Sequence, residues 1–372
     1  MLNKVFHLTE NHTTVKTECI AGVTTFMTMA YILAVNPNIL SAAGMDPTAV
    51  LLATCLASFL GTMCMGMMAN LPFALSAGMG LNAFFAYTVV GNMGYPWQVA
   101  LLAVLVVIFL VLSLTNVREA LFNVIPISLK QAVSVGIGVY IAFIGLQNAG
   151  VVVNNDSTLV SLVSFTDHFR TSGICALLAI IGIFLTAVLY LKHVKGSILI
   201  GILGTWILGI LCQLTGLYQV DAEAGYNSLI PTFAMTDFSK LGETFGQCFR
   251  VDFDGISIVN FIVVIFSFLF VDIFDTLGTL VGVCTKADML DKDGKLAKIK
   301  PALLADSIAT SAGAILGTST TTTFVESSAG VAVGGRTGLT AVVTAVLFLV
   351  SMLFAPIFIA IPSFATAPAL VI

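Results

Sequence analysis

The chain has 372 residues, of which 58% are hydrophobic and 9% are charged, and its formal net charge at pH 7 is −4. A soluble domain carries roughly 25% charged residues, so this composition excludes an ordinary soluble protein. The sequence has no basic patch with interleaved aromatic residues, which excludes nucleic acid as a partner. Apolar stretches of about 18 or more residues recur along the chain, as expected for membrane-spanning helices. The sequence therefore predicts an all-α polytopic membrane protein.

Hydropathy and turn residues predict eleven membrane segments. The third and the tenth are short and rich in glycine, whereas the others can cross a hydrocarbon layer of about 30 Å. In chain order the predicted segments are 17–40, 49–68, 78–90, 97–114, 131–148, 173–191, 197–217, 256–283, 301–316, 324–333 and 339–360.

The distribution of cationic residues predicts how the chain is oriented. If the N-terminus is cytoplasmic, only Arg170, Lys240 and Arg250 of the 15 lysines and arginines lie in predicted outer loops, and 15 − 3 leaves twelve inside. Cytoplasmic loops normally carry such an excess. We therefore expect a multi-pass protein of the cell (cytoplasmic) membrane with a cytoplasmic N-terminus. The acidic outer loop 218–255 is predicted to carry some local structure.

The two short segments predict a binding site in the middle of the membrane. They are seven segments apart, so they enter the membrane in opposite directions, as in an inverted repeat. Before the second of them, residues 318–323 are all threonine or serine. We expect this stretch to be extended and to lead into a half-helix whose amino end presents free N–H groups. The alternative is a threonine-rich loop at the membrane surface.

Glu326 is predicted to lie just inside that half-helix. A carboxylate at this depth is costly unless it is paired, hydrogen-bonded or protonated, so it is a candidate functional residue. The alternative is a structural partner for Arg336, for Lys300 or for a backbone turn.

The eighth segment contains "FVDIFDTLGTLVG", which places Asp272, Asp275 and Thr279 near one helix face together with Thr276. One aspartate is predicted to bind a substrate and the other to orient it, although a brace between helices is the alternative. All four histidines fall outside the predicted segments. Proton coupling would therefore use Asp272, Asp275 or Glu326. We expect no catalytic residues, no metal and no cofactor other than the proton as coupling ion.

The third segment contains Gly80 and Asn82 ahead of two phenylalanines. The amide of Asn82 is suited to donate to and accept from a neutral heterocycle, or to close a backbone turn. Phe84, Phe85 and Phe324 are suited to stack on a planar ligand, or to pack within the protein.

Five stretches together strongly resemble the AzgA-like branch of the nucleobase/cation symporter-2 (xanthine/uracil permease) family, the hypoxanthine, guanine and adenine permeases. They are "GVTTFMTMAYILAVNP", "SAGMGLNAFFAYTVV", "SVGIGVYIAFIGLQNAG", "FVDIFDTLGTL" and "STTTTFVESSAGVAVGGRTGLT". The resemblance covers essentially the whole chain. It implies a seven-plus-seven inverted-repeat transporter fold with core and gate domains, in which extended strands precede the two short broken segments.

The resemblance also implies the division of the chain into domains. The core domain would comprise 1–116 (segments one to four) and 256–361 (segments eight to eleven). The gate domain would begin with 117–217 (segments five to seven), and 218–255 would form the outer loop. The family has three further segments, and 362–372, "PSFATAPALVI", looks like the start of the twelfth. We therefore expect about eleven of fourteen segments to be present and half of the gate to be missing.

For the site, the resemblance implies substrate contacts by Gly80, Asn82, Asp275 and Glu326. Uracil-transporting relatives carry a glutamate and a histidine where this chain has Asp275 and Thr279, which fits the purine branch. Thr279 and Phe324 complete the predicted substrate-binding set. The implied function is uptake of purine bases, hypoxanthine or guanine, by proton symport with alternating access. Adenine or another nucleobase as substrate, or an anion transporter or channel on the same fold, is the alternative. The expected partners are the base, membrane lipid and a second copy in a homodimer.

Overall fold

The computed structural model describes residues 2–113, 127–194, 196–221, 225–231, 234–253, 255–286, 289 and 298–372. The expected domain boundary between residues 116 and 117 lies outside these ranges, as do Arg118, Lys195, Lys292 and Lys295 of the predicted cytoplasmic loops. The described chain is mainly helical. Its α-helices are α1 (Leu2–Phe6), α2 (Val15–Met29), α3 (Ile32–Ser41), α4 (Pro47–Cys64), α5 (Met79–Ala83), α6 (Trp97–Ser113), α7 (Ile127–Asn148), α8 (Ile174–Leu191), α9 (Ser197–Leu214), α10 (Ile258–Lys286), α11 (Ile299–Leu316), α12 (Ser327–Ala332), α13 (Gly338–Ser351), α14 (Ala355–Ile359) and α15 (Ser363–Val371).

Within the described ranges, six helical stretches are long and apolar enough to cross a membrane. They are Val15–Ser41, Pro47–Ala69, Phe169–Leu191, Ser197–Leu214, Ile299–Leu316 and Gly338–Ile359. Trp97–Val106 and Ile258–Asp272 are shorter apolar helical stretches. These helices confirm the predicted multi-pass membrane protein.

Several predicted segments differ in detail from the helices. The first is two helices, because Leu33 N–H and Ala34 N–H bond three residues back, to Ala30 O and Tyr31 O, and form a turn between α2 and α3. The third continues beyond α5 as a π-helix over Phe84–Asn92. The fifth begins earlier than predicted, at Ile127.

The chain forms two compact units, each built from two separate stretches. Unit 1 comprises Met1–Val135 and Asp237–Leu353, and unit 2 comprises Gly136–Thr236 and Phe354–Ile372.

Unit 1 contains a two-stranded antiparallel sheet made of β1 (Leu75–Ala77) and β4 (Thr321–Thr323), in which Ser76 is opposite Thr322. All six strand residues are buried. Non-helical backbone at membrane depth must satisfy its polar groups within the protein, and here each strand does so largely through the other. The sheet confirms the prediction that extended chain precedes both short helices, and it corrects the alternative of a surface loop.

The two ends of this sheet have matching hydrogen bonds. Gly78 N–H donates to Thr320 O and Phe324 N–H donates to Ala74 O, each at 3.0 Å. Each strand is also tied to the helix before it. Thr62 of α4 donates to Leu75 O and accepts from Leu75 N–H, as Thr310 of α11 does with Thr321. The two halves of unit 1 are therefore built alike around the sheet.

Helices α4 and α11 pack directly against each other beside the sheet. At Gly61 a Cβ atom would lie 2.4 Å from Ala309 Cβ, closer than such atoms approach in proteins. Only a glycine at this point allows the two helices to approach so closely.

Unit 2 packs α8, α9 and α15 together. Trp206 of α9 donates its indole N–H to Leu229 O at 2.9 Å, which holds part of the loop after α9. A hairpin of β2 (Val152–Asn155) and β3 (Leu159–Leu162) lies between α7 and α8. Sequence reasoning missed it, because Leu159 adopts a left-handed φ of 67° that the residue type does not signal.

The loop before α10 carries local structure, as predicted. It forms two 3₁₀-helices, Phe238–Glu243 and Gln247–Phe249, both in unit 1. Asp237 caps the first by accepting from the hydroxyl and the N–H of Ser239, and these bonds lower the pKa of the Asp237 carboxyl. Lys240 forms ion pairs with Asp46 and Glu243.

Candidate functional site

The candidate site lies where the two strands of unit 1 pass into short helices. Helix α5 follows β1 and α12 follows β4, and α10 packs against β4, α5 and α12. Because the strands are antiparallel, α5 begins beside the start of β4, whereas α12 begins beside the start of β1. The residues predicted from the third, eighth and tenth segments therefore belong to one structural unit.

Glu326 is held by a residue that the sequence did not single out. Tyr31, in the turn between α2 and α3, donates its hydroxyl hydrogen to Glu326 Oε1 at 2.6 Å. Tyr31 is only 2% exposed, whereas Glu326 is half-buried. The carboxylate is therefore anchored by Tyr31, in a residue that is not fully buried.

The prediction for the start of the second half-helix was wrong in two respects. Glu326 precedes α12 as its N-cap residue and is not inside it. The first N–H groups are also not free, since Ser327, Ser328 and Ala329 donate to Phe324 O, Val325 O and Glu326 O. The chain forms a tight turn that uses these donors internally, so the turn does not present a row of free N–H groups.

Arg336 does not pair with Glu326, which was one of the three structural alternatives. Its guanidinium donates to Val331 O at 2.7 Å and Gly335 O at 2.8 Å, near the end of α12. The carboxylate that accepts hydrogen bonds in this region belongs to Glu18 of α2, and the Glu18 side chain is fully buried. Glu18 accepts from the N–H groups of Arg336, Thr337 and Thr340 and from the Thr340 hydroxyl. Glu18 thus caps α13.

Asn82 of α5 is fully buried and bonds to a side chain, not to a backbone turn. Its Nδ2 donates to Oδ1 of Asn36 in α3. Asn36 in turn donates to Thr54 Oγ1 at 2.7 Å and to Thr318 Oγ1 at 3.0 Å. Gly80, two residues earlier in α5, is half-buried.

The two aspartates of α10 differ in accessibility. Asp272 is 3% exposed, whereas Asp275 is half-buried. A Cβ atom placed on Gly78 would lie 3.4 Å from Asp275 Oδ2 and 3.8 Å from Thr320 Oγ1, so this carboxylate lies at the junction of β1 and α5. A Cβ atom at residue 78 would be in ordinary van der Waals contact with this carboxylate and tight against Thr322 Cγ2, at 3.0 Å.

Two hydroxyl residues of α10, Thr276 and Thr279, are buried. Thr276 donates to Asp306 Oδ2 of α11 at 3.1 Å and lies 3.1 Å from the hydroxyl oxygen of Thr322 in β4. Thr279 is 9% exposed. Thr276 therefore ties α10 to the sheet.

The phenylalanines are packed within the protein. Phe84 makes an edge-to-face contact with Phe268 of α10, with ring centroids 5.1 Å apart and an interplanar angle of 78°. Phe85 is fully buried and Phe324 is 5% exposed.

Sequence reasoning missed Tyr31, Asn36 and Asp306, and it also missed Glu18. Three of these had a usable signal, because a charged or amide side chain inside an apolar segment is a functional candidate by default. Tyr31 had none, since a tyrosine in a membrane helix is common. Its role follows from the break between α2 and α3, which hydropathy does not reveal.

This site contains carboxylates, an amide and hydroxyls at the breaks between strands and short helices, and apolar helices enclose it. Such an arrangement is a feature of membrane transporters. Within the described ranges, no histidine lies in a helical stretch that is long and apolar enough to cross a membrane.

The comparisons with known proteins agree with this class. Residues 16–372 match the model of the Permease family, the xanthine/uracil permeases. The chain belongs to this family of membrane transporters and is not an enzyme. It is 43% identical to the adenine permease AdeP of Escherichia coli, over 100% of this chain and 79% of the relative. It is 42% identical to the guanine/hypoxanthine permease PbuO of Bacillus subtilis, over 99% of this chain and 82% of the relative.

Among solved structures, the chain is similar to the transmembrane domain of the cyanobacterial bicarbonate transporter BicA. The TM-score is 0.65 at 13% sequence identity, covering 95% of this chain and 86% of that domain. The similarity is one of fold.

Proposed function

We propose that this protein takes up purine nucleobases, with hypoxanthine and guanine as its main substrates, by proton symport with alternating access. Family membership and relatives named as adenine and guanine/hypoxanthine permeases support the purine class. The observation that carries the proposal is the half-buried carboxylate of Glu326, held by Tyr31 at a break in unit 1.

The chemistry of this carboxylate suits a base better than an anion. Purine bases present several N–H donors on a planar ring, and a carboxylate accepts such donors without donating. A hydrogen bond to a charged group is worth about 1.5–3 kcal/mol. An anionic substrate would instead be repelled by Glu326 and Asp275 unless both were protonated.

Each predicted residue has a proposed role. Glu326 and Asp275 accept hydrogen bonds from N–H groups of the base, and Asn82 forms hydrogen bonds with polar atoms at the edge of its ring. Gly80 lets the base approach the backbone closely, and Thr279 and Phe324 complete the binding surface. For proton coupling the candidates are Asp272, Asp275 and Glu326.

Unit 1 is proposed as the core that carries the base and unit 2 as the gate. The matching hydrogen bonds at the two ends of the β1–β4 sheet support an inverted repeat. On this proposal the fold is the seven-plus-seven plan, with about eleven of its segments in this chain. We further propose the cell membrane as its location, with the N-terminus cytoplasmic.

Uptake of radiolabelled hypoxanthine by cells that lack their own base transporters tests this function. We expect uptake that guanine suppresses most strongly and that uracil and bicarbonate leave unchanged. A protonophore should abolish accumulation, whereas removal of sodium should not. Absence of uptake of every base would refute the proposed function, and accumulation that survives the protonophore would refute the proton coupling alone.

A further inference from the structure

The buried contacts around Asn36 have a defined direction of hydrogen bonding. Thr54 donates its single hydroxyl hydrogen to Val50 O at 2.6 Å. A hydroxyl has one donor and two acceptor positions, so toward Asn36 the Thr54 oxygen is an acceptor. Asn36 must therefore present its NH₂ group to Thr54, as it does at 2.7 Å.

The same reasoning fixes the next amide. The NH₂ group of Asn36 is occupied by Thr54 and Thr318. Its oxygen therefore faces Asn82 and accepts from the Asn82 NH₂ group. Turning the Asn36 amide over would bring its oxygen against Thr54, whose hydrogen is already bound to Val50 O. The carbonyl of Val50 thus sets the orientation of both amides.

The end of this series is an acceptor without a partner. Among the residues that the structure describes, Asn82 Oδ1 has no hydrogen-bond donor, although the side chain is fully buried. A buried unpaired polar atom is costly. An N–H group of a ligand beside α5 would satisfy it, whereas a ring nitrogen with a lone pair would be repelled.

We propose that Asn36 is a positioning residue that fixes the Asn82 amide with its oxygen toward the ligand, and so selects which bases the site accepts. This inference rests on the proposed function. Hypoxanthine carries a donor at N1 beside the acceptor O6, and adenine carries an acceptor at N1 beside a donor amine. If the Asn82 oxygen faces N1 of the base, it accepts from N1–H of hypoxanthine and is repelled by the lone pair on N1 of adenine, whereas an amide free to rotate accommodates both bases.

The test is the ratio of the dissociation constants of hypoxanthine and adenine, measured by ligand-induced thermal stabilisation of the purified protein. Asn36→Leu releases Asn82, and Thr54→Val removes the anchor while keeping Asn36. In both variants we expect the ratio to move toward one by about 3- to 10-fold, the range for one neutral hydrogen bond. Thr54→Ser keeps the hydroxyl that anchors the Asn36 amide, so it should hold the wild-type ratio.

A role in packing alone would weaken both bases equally and leave the ratio unchanged. The inference is overturned if the ratio stays within twofold of wild type in Asn36→Leu and Thr54→Val. It is also overturned if Thr54→Ser shifts the ratio as far as Thr54→Val does. If the wild-type protein bound neither base, the proposed function would fall first and this inference with it, which distinguishes the two failures.

Discussion

Removing the hydroxyl of Tyr31 isolates the contact on which the site depends most. Tyr31→Phe keeps the ring, which is 2% exposed and packed inside unit 1, and deletes only the bond to Glu326. At 2.6 Å this bond lies in the range of strong hydroxyl–carboxylate bonds, about 2.5–2.7 Å.

The magnitude follows from the worth of such a bond. A hydrogen bond to a charged group contributes about 1.5–3 kcal/mol. If the whole amount is spent on holding Glu326 toward the base, the dissociation constant for hypoxanthine rises by about 10- to 150-fold. Any part of this free energy that does not contribute to binding would instead lower the unfolding temperature of the ligand-free protein.

The assay is ligand-induced thermal stabilisation of purified Tyr31→Phe over a range of hypoxanthine concentrations. Tyr218→Phe is a matched control, because Tyr218 donates to Asn227 O at 2.7 Å within unit 2. The control should lower stability without ligand and leave the dissociation constant unchanged. Wild-type affinity in Tyr31→Phe would show that the tyrosine does not position Glu326 for binding, and the reasoning would be refuted.

Three further predictions concern the other carboxylates and the orientation of the chain. Asp275→Asn should weaken hypoxanthine binding about 10- to 150-fold, while Asp272→Asn, at a more deeply buried residue, should mainly reduce folded yield; a reversed pair of phenotypes in the same thermal assay would reverse the assignment. Glu18→Gln should lower the free energy of unfolding by about 1.5–3 kcal/mol, because Glu18 accepts four hydrogen bonds at the start of α13; an unchanged unfolding temperature would contradict its role as a cap. In a background without accessible native cysteines, a cysteine at Lys298 should be labelled by a membrane-impermeant thiol reagent only from the cytoplasmic side, and a cysteine at Asp237 only from outside. Labelling of residue 298 from outside would overturn the predicted orientation.

The strand-to-helix breaks were predictable from local sequence. A run of threonine and serine favours extended backbone and cannot stay exposed to lipid, so the sequence itself indicated β4. The glycines around Gly78 indicated the corresponding break at β1 for a similar reason.

The partners of the site residues were not predictable in the same way. Tyr31 and Asn36 contact residues about 295 and 46 positions away along the chain, Glu326 and Asn82. Hydropathy indicates that a segment is buried but not which neighbour each face meets. The direction of the amides depends further on Thr54 and its bond to a carbonyl one turn earlier, a feature that only the assembled unit contains.

The central claim is that the Glu326 carboxylate binds a purine base. The most direct measurement compares hypoxanthine-induced thermal stabilisation of the wild-type protein with that of Glu326→Gln and Glu326→Asp. Gln presents an NH₂ group where the base presents its own N–H, so we expect Glu326→Gln to lose measurable stabilisation while still folded, and Glu326→Asp to keep part of it. Wild-type stabilisation in Glu326→Gln would mean that the carboxylate serves only to brace Tyr31, and the claim would be contradicted.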